Sequence, residues 1–425
     1  MKIYLSTLGC KLNESELEAW TRRFAQDGNE IVATPAEAEV CVLNTCAVTH
    51  IAARKSRQLA RQLARANPAA RIVLTGCFAD IAPAEARALP NVALLVPSAD
   101  KDRLAGIAAE RLAIGDLKAG IEDWDSLVPS PEVSLPASHL RTRAFVKVQD
   151  GCNMRCAYCI IPLARGDSRS RSRAAIVAEV QALVAQGYNE IVLTGVQISA
   201  YRASLRDLVA AILAETNTPR LRLTSIAPWD LDETLLDLFH DPRLCRHLHL
   251  SLQAGCDAVL RRMRRPYTTA QFAQAVELAR AKIPEVGITT DVIVGFPGET
   301  ETEFAESAAF VERMQFARVH VFPFSPRAGT VAATLPAQVA PAIKEARART
   351  MQVVADASQR AFAQTLIGRV VHVLWETQTA GMWSGYTDNY VRVEAASGND
   401  LRNRFTRARV VRALPEGVLA TLENL

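Results

Sequence analysis

Cys152, Cys156 and Cys159 stand in the run CNMRCAYC, a Cys-x3-Cys-x2-Cys spacing just after the apolar run FVKVQ. Three thiolates this close can wrap one metal centre, but they cannot fill four tetrahedral positions. Structural zinc takes four protein ligands, whereas an open position marks a catalytic centre. A four-iron cluster held by three cysteines leaves one iron free for a small chelating ligand. The competing reading is a three-cysteine zinc site completed by a distant histidine, and no histidine lies near this loop.

Cys10, Cys46 and Cys77 are far apart in the chain, yet YLSTLGC, VLNTC and VLTGC put each one or two residues past an apolar strand pattern. In an open parallel sheet those strand ends line one edge, so three loops can bring the thiolates together as a second three-cysteine site. Gly9 and Gly76 precede two of them and allow close backbone approach. Three unrelated buried cysteines are the alternative. Cys41, inside an apolar strand, and Cys245, in a helix-to-strand turn, read as inert core thiols. Cys256, after LSLQAG, reads as packing, and His50 as a surface or capping residue. GFPGET contains a strand-to-helix glycine turn but lacks the GKS/T ending of a phosphate loop.

The elements that must position these residues follow from periodicity. With 49% hydrophobic and 22% charged residues, the 425-residue chain reads as packed protein of about three domains, neither disordered, fibrous nor disulfide-stapled. Nine cysteines are too few for a disulfide framework at this length. No secretory signal pattern and no run near the ~18 apolar residues of a membrane span is present, so a cytoplasmic protein without a membrane partner is expected. The predicted fold class is α/β. Residues 1–112 alternate four short strands with helices as a parallel α/β layer, and 113–137 is a linker ending in the Pro/Ser-rich SLVPSPEVSLPAS. Residues 138–367 repeat strand and helix six times, a (β/α)6 partial barrel with its active site at the strand carboxyl ends. Residues 368–425 read as short alternating strands of a small all-β barrel.

The net charge is only +4, yet basic residues cluster in four places. These are Arg54, Lys55, Arg57, Arg61 and Arg65; Arg165, Arg169, Arg171 and Arg173; Arg261, Arg262, Arg264 and Arg265; and Arg402, Arg404, Arg407, Arg409 and Arg412. Four runs in a nearly neutral chain suggest a phosphate-binding surface. Trp375, Trp383, Tyr386 and Tyr390 could stack on bases, although aromatics in a small β-barrel more often form its core.

At this point the motifs carry a resemblance. CNMRCAYC resembles the cluster loop of radical S-adenosylmethionine (SAM) enzymes. Together with GCKLNESE, LNTCAVT and TGC it resembles the methylthiotransferase family, whose TRAM domain the terminal β module is similar to. The resemblance covers essentially the whole chain in the family's domain order. GCKLNESE, NTCAVTHIAARKSR and HLSLQAGCDAVLRRMRRPYT look most like the branch that modifies N6-threonylcarbamoyladenosine beside the tRNA anticodon. Lys11 stands where the isopentenyladenosine branch usually has Gln and the ribosomal-protein branch Pro. SLQAG and DVIVGFPGET also match, Cys256 is a branch feature, and LNESE departs from the commoner VNQ-type run.

The resemblance implies two [4Fe-4S] clusters and SAM. Cys152, Cys156 and Cys159 would hold the cluster whose open iron chelates the amino and carboxylate groups of SAM. Its cleavage to a 5′-deoxyadenosyl radical is the cofactor's own chemistry. The radical would take hydrogen from carbon 2 of the adenine, while the cluster at Cys10, Cys46 and Cys77 would carry or supply sulfur that a second SAM methylates. Tyr158 would pack on adenine, and Gly195, Ser251, Gln253 and Asp291, at strand ends, would contact SAM; core or turn packing is the competing role for all five. Implied partners are tRNA and an electron donor such as a flavodoxin or ferredoxin, with the enzyme a monomer. The same chemistry on isopentenyladenosine or a ribosomal protein is the alternative. An iron–sulfur or zinc regulator that grips RNA without chemistry is a second, disfavoured by an open iron in a barrel mouth. A cobalamin-dependent radical SAM methylase is a third, and its Asp-x-His-x-x-Gly signature is absent.

Overall fold

The computed structural model describes residues 1–112 and 142–423. The predicted linker 113–137 lies outside the described residues. Strands β1 (Lys2–Thr7), β2 (Glu30–Ile31), β3 (Val40–Thr45), β4 (Arg71–Gly76) and β5 (Val92–Val96) form a parallel sheet in the order β2-β1-β3-β4-β5. Every residue of β3 is buried, as a strand covered on both faces requires. Helix α1 (Lys11–Gln26) packs Trp20 and Phe24 on one face, with Ile3, Val42 and Val73. On the other face α2 (His50–Ala66) buries Ala53, Ala60 and Leu63 against Leu43 and Leu74. Sequence periodicity predicts four of the five strands. The fifth, β2, has only two residues and no period to read.

The next strands are β6 (Arg143–Lys147), β7 (Gln149–Asp150), β8 (Arg169–Ser170), β9 (Glu190–Thr194) and β10 (Leu221–Leu223). They are followed by β11 (His247–His249), β12 (Gly287–Val294) and β13 (Arg318–Pro323). Two three-stranded parallel sheets, β10-β9-β6 and β11-β12-β13, are joined by bridges Leu221–Leu244 and Ile226–Leu250. The six strands predicted are all present, β10 and β11 with three residues each, and they curl into a partial barrel whose outer face packs against the helices in a continuous apolar core. The two-residue antiparallel ribbon β7–β8, not visible in the sequence, frames the CNMRCAYC loop.

A closed five-stranded barrel follows in the order β14-β15-β16-β18-β17, with β14 (Val370–Thr379), β15 (Met382–Thr387), β16 (Arg392–Ala396), β17 (Phe405–Leu414) and β18 (Gly417–Leu422). Trp375 and Trp383 lie in its core. Tyr386 and Tyr390 do not: they stack on each other, 5.0 Å between centroids, toward the strand starts of the partial barrel.

This small barrel caps the amino-terminal end of the larger one. Arg222, fully buried, donates to Glu190 and to the carbonyls of Thr387 and Asp388. Arg220 donates to the carbonyls of Tyr386 and His372, and Arg143 pairs with Glu376 at 2.6 Å. Burial alone would raise the Glu190 pKa, but Arg222 outweighs it and holds the carboxyl at about 2. Among the described residues, no helix is long and apolar enough to cross a membrane.

Gly287 opens β12 directly against the Asn389 carbonyl, where a Cβ would stand 2.1 Å from the oxygen. Because the obstacle is backbone, Gly287→Ala is expected to destabilise the protein by about 1–3 kcal/mol in urea unfolding. Gly106→Ala, with nothing within 4 Å of the added carbon, should cost nothing.

Candidate active site

The two sets of cysteines are positioned by different means. Cys46 directly follows β3, and Cys77 directly follows β4 as the first residue of a short helix, Cys77–Ile81. Cys10 lies farther along than the one or two residues expected, three residues past β1, as the residue preceding α1. Gly9, at φ +125°, folds the chain back so that a Cβ there would meet Cys46 Sγ at 3.2 Å. Burial pushes the Cys46 thiol up to about 11, in a site that also faces Cys77 and Cys10. Cys10 is exposed, whereas Cys46 and Cys77 are buried.

Cys152, Cys156 and Cys159 are all half-buried at the carboxyl end of the partial barrel. Cys156 Sγ accepts from Arg265 at 3.2 Å, and Arg265 lies over the rings of Trp229 and Tyr267, each at 5.1 Å. Burial pushes the Cys159 thiol up to about 12. Among the described residues no three His, Cys, Asp or Glu side chains converge as around a single metal ion. Thiolates on a four-iron cube each bind a different iron and need not converge on one point. The soft all-thiolate donor set, open toward a cleft, fits such a cluster.

That cleft has a volume of about 250 Å³, and both cysteine loops reach it. Val48 and Thr49 come from the loop after Cys46; Tyr158, Cys159, Ile160 and Ile161 come from the CNMRCAYC loop. Gln253, Asp291 and Ile293 enter from strand ends, and Phe322 to Ser325 close the side. Of the five residues expected to contact SAM, Tyr158, Gln253 and Asp291 therefore meet here. Gln253 takes φ +67° and donates its backbone N–H to the Asp291 carbonyl. Gly195 and Ser251 do not line the cleft; Gly195 lies against Gln149, and the Ser251 carbonyl accepts from Tyr267. Burial would raise the Asp291 pKa, but a hydrogen bond from His249 outweighs it and keeps the carboxyl below its usual range.

A buried charge network joins the two halves beneath the cleft. Arg165 donates to Glu16 at 3.0 Å, to Asp150 at 2.8 Å and to Asn13 at 2.6 Å. Glu16 also accepts from Lys101 at 2.7 Å and Asn44 at 2.9 Å, and Lys147 pairs with Asp102 at 2.7 Å. Asn13 in turn donates to the carbonyls of Leu8 and Thr45, tying together the Cys10 and Cys46 loops. Sequence reasoning did not single out Asn13 and Glu16. Their only signal was two polar residues three apart on a helix face that otherwise packs inward.

The four basic runs divide. Arg54, Lys55, Arg61 and Arg65 on α2 are exposed, as are all five arginines of the run Arg402 to Arg412 in the C-terminal barrel. Arg261, Arg264 and Arg173 are exposed too. Arg165 and Arg171 are not surface residues: both are buried, Arg165 in the network and Arg171 against Glu179. Thr49, not His50, caps α2, accepting from Ala52 N–H, and His50 is exposed.

Residues 146–311 match the radical SAM superfamily, and residues 2–97 match the uncharacterized protein family UPF0004. The chain is 36% identical over 419 residues to the threonylcarbamoyladenosine tRNA methylthiotransferase MtaB of Bacillus subtilis, covering 96% of this chain and 93% of that one. It is 34% identical to the ribosomal protein uS12 methylthiotransferase RimO of Roseiflexus castenholzii, over 89% of this chain and 85% of that one. Among solved structures, the radical SAM methyltransferase TsrM of Kitasatospora setae, with cobalamin and a [4Fe-4S] cluster bound, aligns at TM-score 0.57 and 16% identity. That alignment covers 78% of this chain and 77% of TsrM, a likeness of fold.

Removing Arg165 leaves two buried carboxylates facing each other. Arg165→Met is expected to cost about 3–5 kcal/mol at neutral pH in urea unfolding. Glu16 and Asp150 titrate below their usual range in the native protein, so their contribution is complete above the ordinary carboxylate pKa and lost as pH falls. Without Arg165 they take up protons on acidification, so the deficit of the variant should shrink between pH 7 and about 4.5.

Proposed function

The chain belongs to the methylthiotransferase family of the radical SAM superfamily, in its MtaB-type branch, and from that premise we propose that it converts N6-threonylcarbamoyladenosine in tRNA to the 2-methylthio form. It is an enzyme using SAM and a [4Fe-4S] cluster, with tRNA as substrate. The observation that carries the finer reading is the shared cleft: residues two and three past Cys46 and the residues around Cys159 face each other across about 250 Å³.

On this reading Cys152, Cys156 and Cys159 hold the SAM cluster, and Cys10, Cys46 and Cys77 hold a second [4Fe-4S] cluster. When bound, the first supplies reductive SAM cleavage and the second a sulfur source at carbon 2 of the adenine. The chain's own groups do the positioning. Arg265, donating to Cys156 Sγ, stabilises thiolate charge there. Tyr158 and Phe322 offer apolar faces for adenine rings, and Gln253 and Asp291 offer polar groups at the strand ends. Gly195 and Ser251 belong to the strand ends that frame this region. The domain division is 1–112, 138–367 and 368–425, the last a TRAM-type RNA-binding barrel. A flavodoxin or ferredoxin donates electrons, and the enzyme works as a cytoplasmic monomer. A three-cysteine set on the strand ends, in place of a cobalamin signature, supports methylthiolation over methylation despite the likeness to TsrM.

Mass spectrometry of tRNA nucleosides from a strain lacking the gene is expected to show loss of 2-methylthio-N6-threonylcarbamoyladenosine, restored by the wild type and not by Cys156→Ala. An unchanged profile would move the substrate to isopentenyladenosine or a ribosomal protein. Anaerobically reconstituted protein should bind about eight irons, and Cys10→Ala about four; unchanged iron would remove the second cluster.

A further inference from the structure

Below the cleft, the lumen of the partial barrel ends on a floor with a surplus of positive charge. Three cations surround the Tyr390 ring: Arg222 at 4.8 Å, Lys11 at 5.3 Å and Arg143 at 5.8 Å from its centroid. Arg222 pairs with Glu190 at 2.7 Å, and Arg143 with Glu376 at 2.6 Å. Arg220 also leans on Glu190, at 3.5 Å, so four cations share two carboxylates. Lys11 is the odd one: among the described residues its ammonium has neither an ion pair nor a hydrogen bond. It is half-buried, held only over the face of Tyr390. A cation withdrawn from bulk water without a counter-charge is costly unless an anion joins it.

A polar column connects this floor to the cleft. Asp291, on the cleft wall, lies 3.3 Å from His249. His249 and His247 each lie 3.0 Å from Thr289 Oγ1, and the His247 ring is 4.6 Å from Tyr390. An adenine presented with carbon 2 at the cleft carries its N6 substituent from another edge of the ring. In threonylcarbamoyladenosine that substituent ends in a carboxylate.

We propose that Lys11, over Tyr390, is the binding site for the free carboxylate of the substrate's N6 side chain, and so a specificity-determining residue. The assignment rests on the substrate reading given above. Arg143 and Arg222 are occupied by carboxylates and set the local potential; Lys11 makes the charge-assisted contact. A neutral, apolar N6 substituent would leave the ammonium without a partner, which is discrimination by an unpaired, half-buried charge.

The test is a binding titration of anaerobically purified full-length protein with two anticodon stem-loop RNAs, identical except that one carries threonylcarbamoyladenosine and the other adenosine. The wild type should prefer the modified RNA by about tenfold or more. Lys11→Gln should bring that ratio near one while leaving affinity for the unmodified RNA unchanged, and Lys11→Arg should keep most of the preference. A Lys11→Gln protein that retains the wild-type ratio overturns the assignment. So does one that loses affinity for both RNAs alike, which would make Lys11 a backbone-phosphate contact. A wild-type ratio of one strikes instead at the substrate reading and takes the Lys11 assignment with it.

Discussion

The structure depends on one guanidinium. Arg165 lies in the helix that follows the CNMRCAYC loop, and its hydrogen bonds reach Asp150 of the same unit and Asn13 and Glu16 of the other. Glu16, Asp102 and Asp150 are answered by Arg165, Lys101 and Lys147, so the buried charges balance three against three, with half-exposed Arg169 at the rim. A buried network of this kind adds little net stability over an apolar core, but it tolerates almost no misregistration, because each unpaired charge costs several kcal/mol. Its product is alignment. Two loops from separate folding units must meet across one cleft, and an apolar contact would let them slide.

The floor of the partial barrel solves a second alignment problem by the same physics. Arg222 and Glu190, both fully buried, would be unsatisfied at an open barrel end; the Thr387 and Asp388 carbonyls complete the donor count of Arg222. The small β-barrel is therefore a structural part of the catalytic unit. Its exposed arginines are referenced rigidly to the lumen beneath the cleft. RNA gripped by those arginines would be held at a fixed distance from the reacting base, which is what orientation in catalysis requires.

How much of this was legible in the sequence follows element length and contact range. The six barrel strands sit in runs with enough apolar or alternating residues to be read, even β10 and β11, which form only three residues of LRLTSI and HLHLSL, whereas β2, β7 and β8, at two residues each, carry no period. The strand-end placement of Cys46 and Cys77 follows from topology, and Cys10 departs from it because Leu8 and Gly9 stand between it and the end of β1. Arg165 and Arg171 read as surface charge alongside Arg169 and Arg173. A sequence cannot tell them apart, because Arg165 is claimed by two carboxylates from different units, Asp150 and, 149 residues away, Glu16. Tyr386 and Tyr390 differ from Trp375 and Trp383 for a similar reason: their neighbours belong to another domain.

The division of the basic runs then changes what the near-neutral charge means. The buried arginines are consumed by internal carboxylates, leaving the exposed ones, most of them on α2 and on the C-terminal barrel, as the positive surface. The start of α2 also carries exposed Ile51 beside exposed Val48, and across the cleft Phe322 is exposed as well. Isolated exposed apolar side chains need no explanation, but Val48 and Phe322 line the cleft that both cysteine loops reach, and Ile51 stands three residues beyond Val48. A basic helix leading to an apolar rim suits a single-stranded loop of RNA, whose phosphates need cations and whose unstacked bases need flat apolar partners. Such a rim would admit a base taken out of its stack, with the arginines placed to hold the backbone from which it is turned.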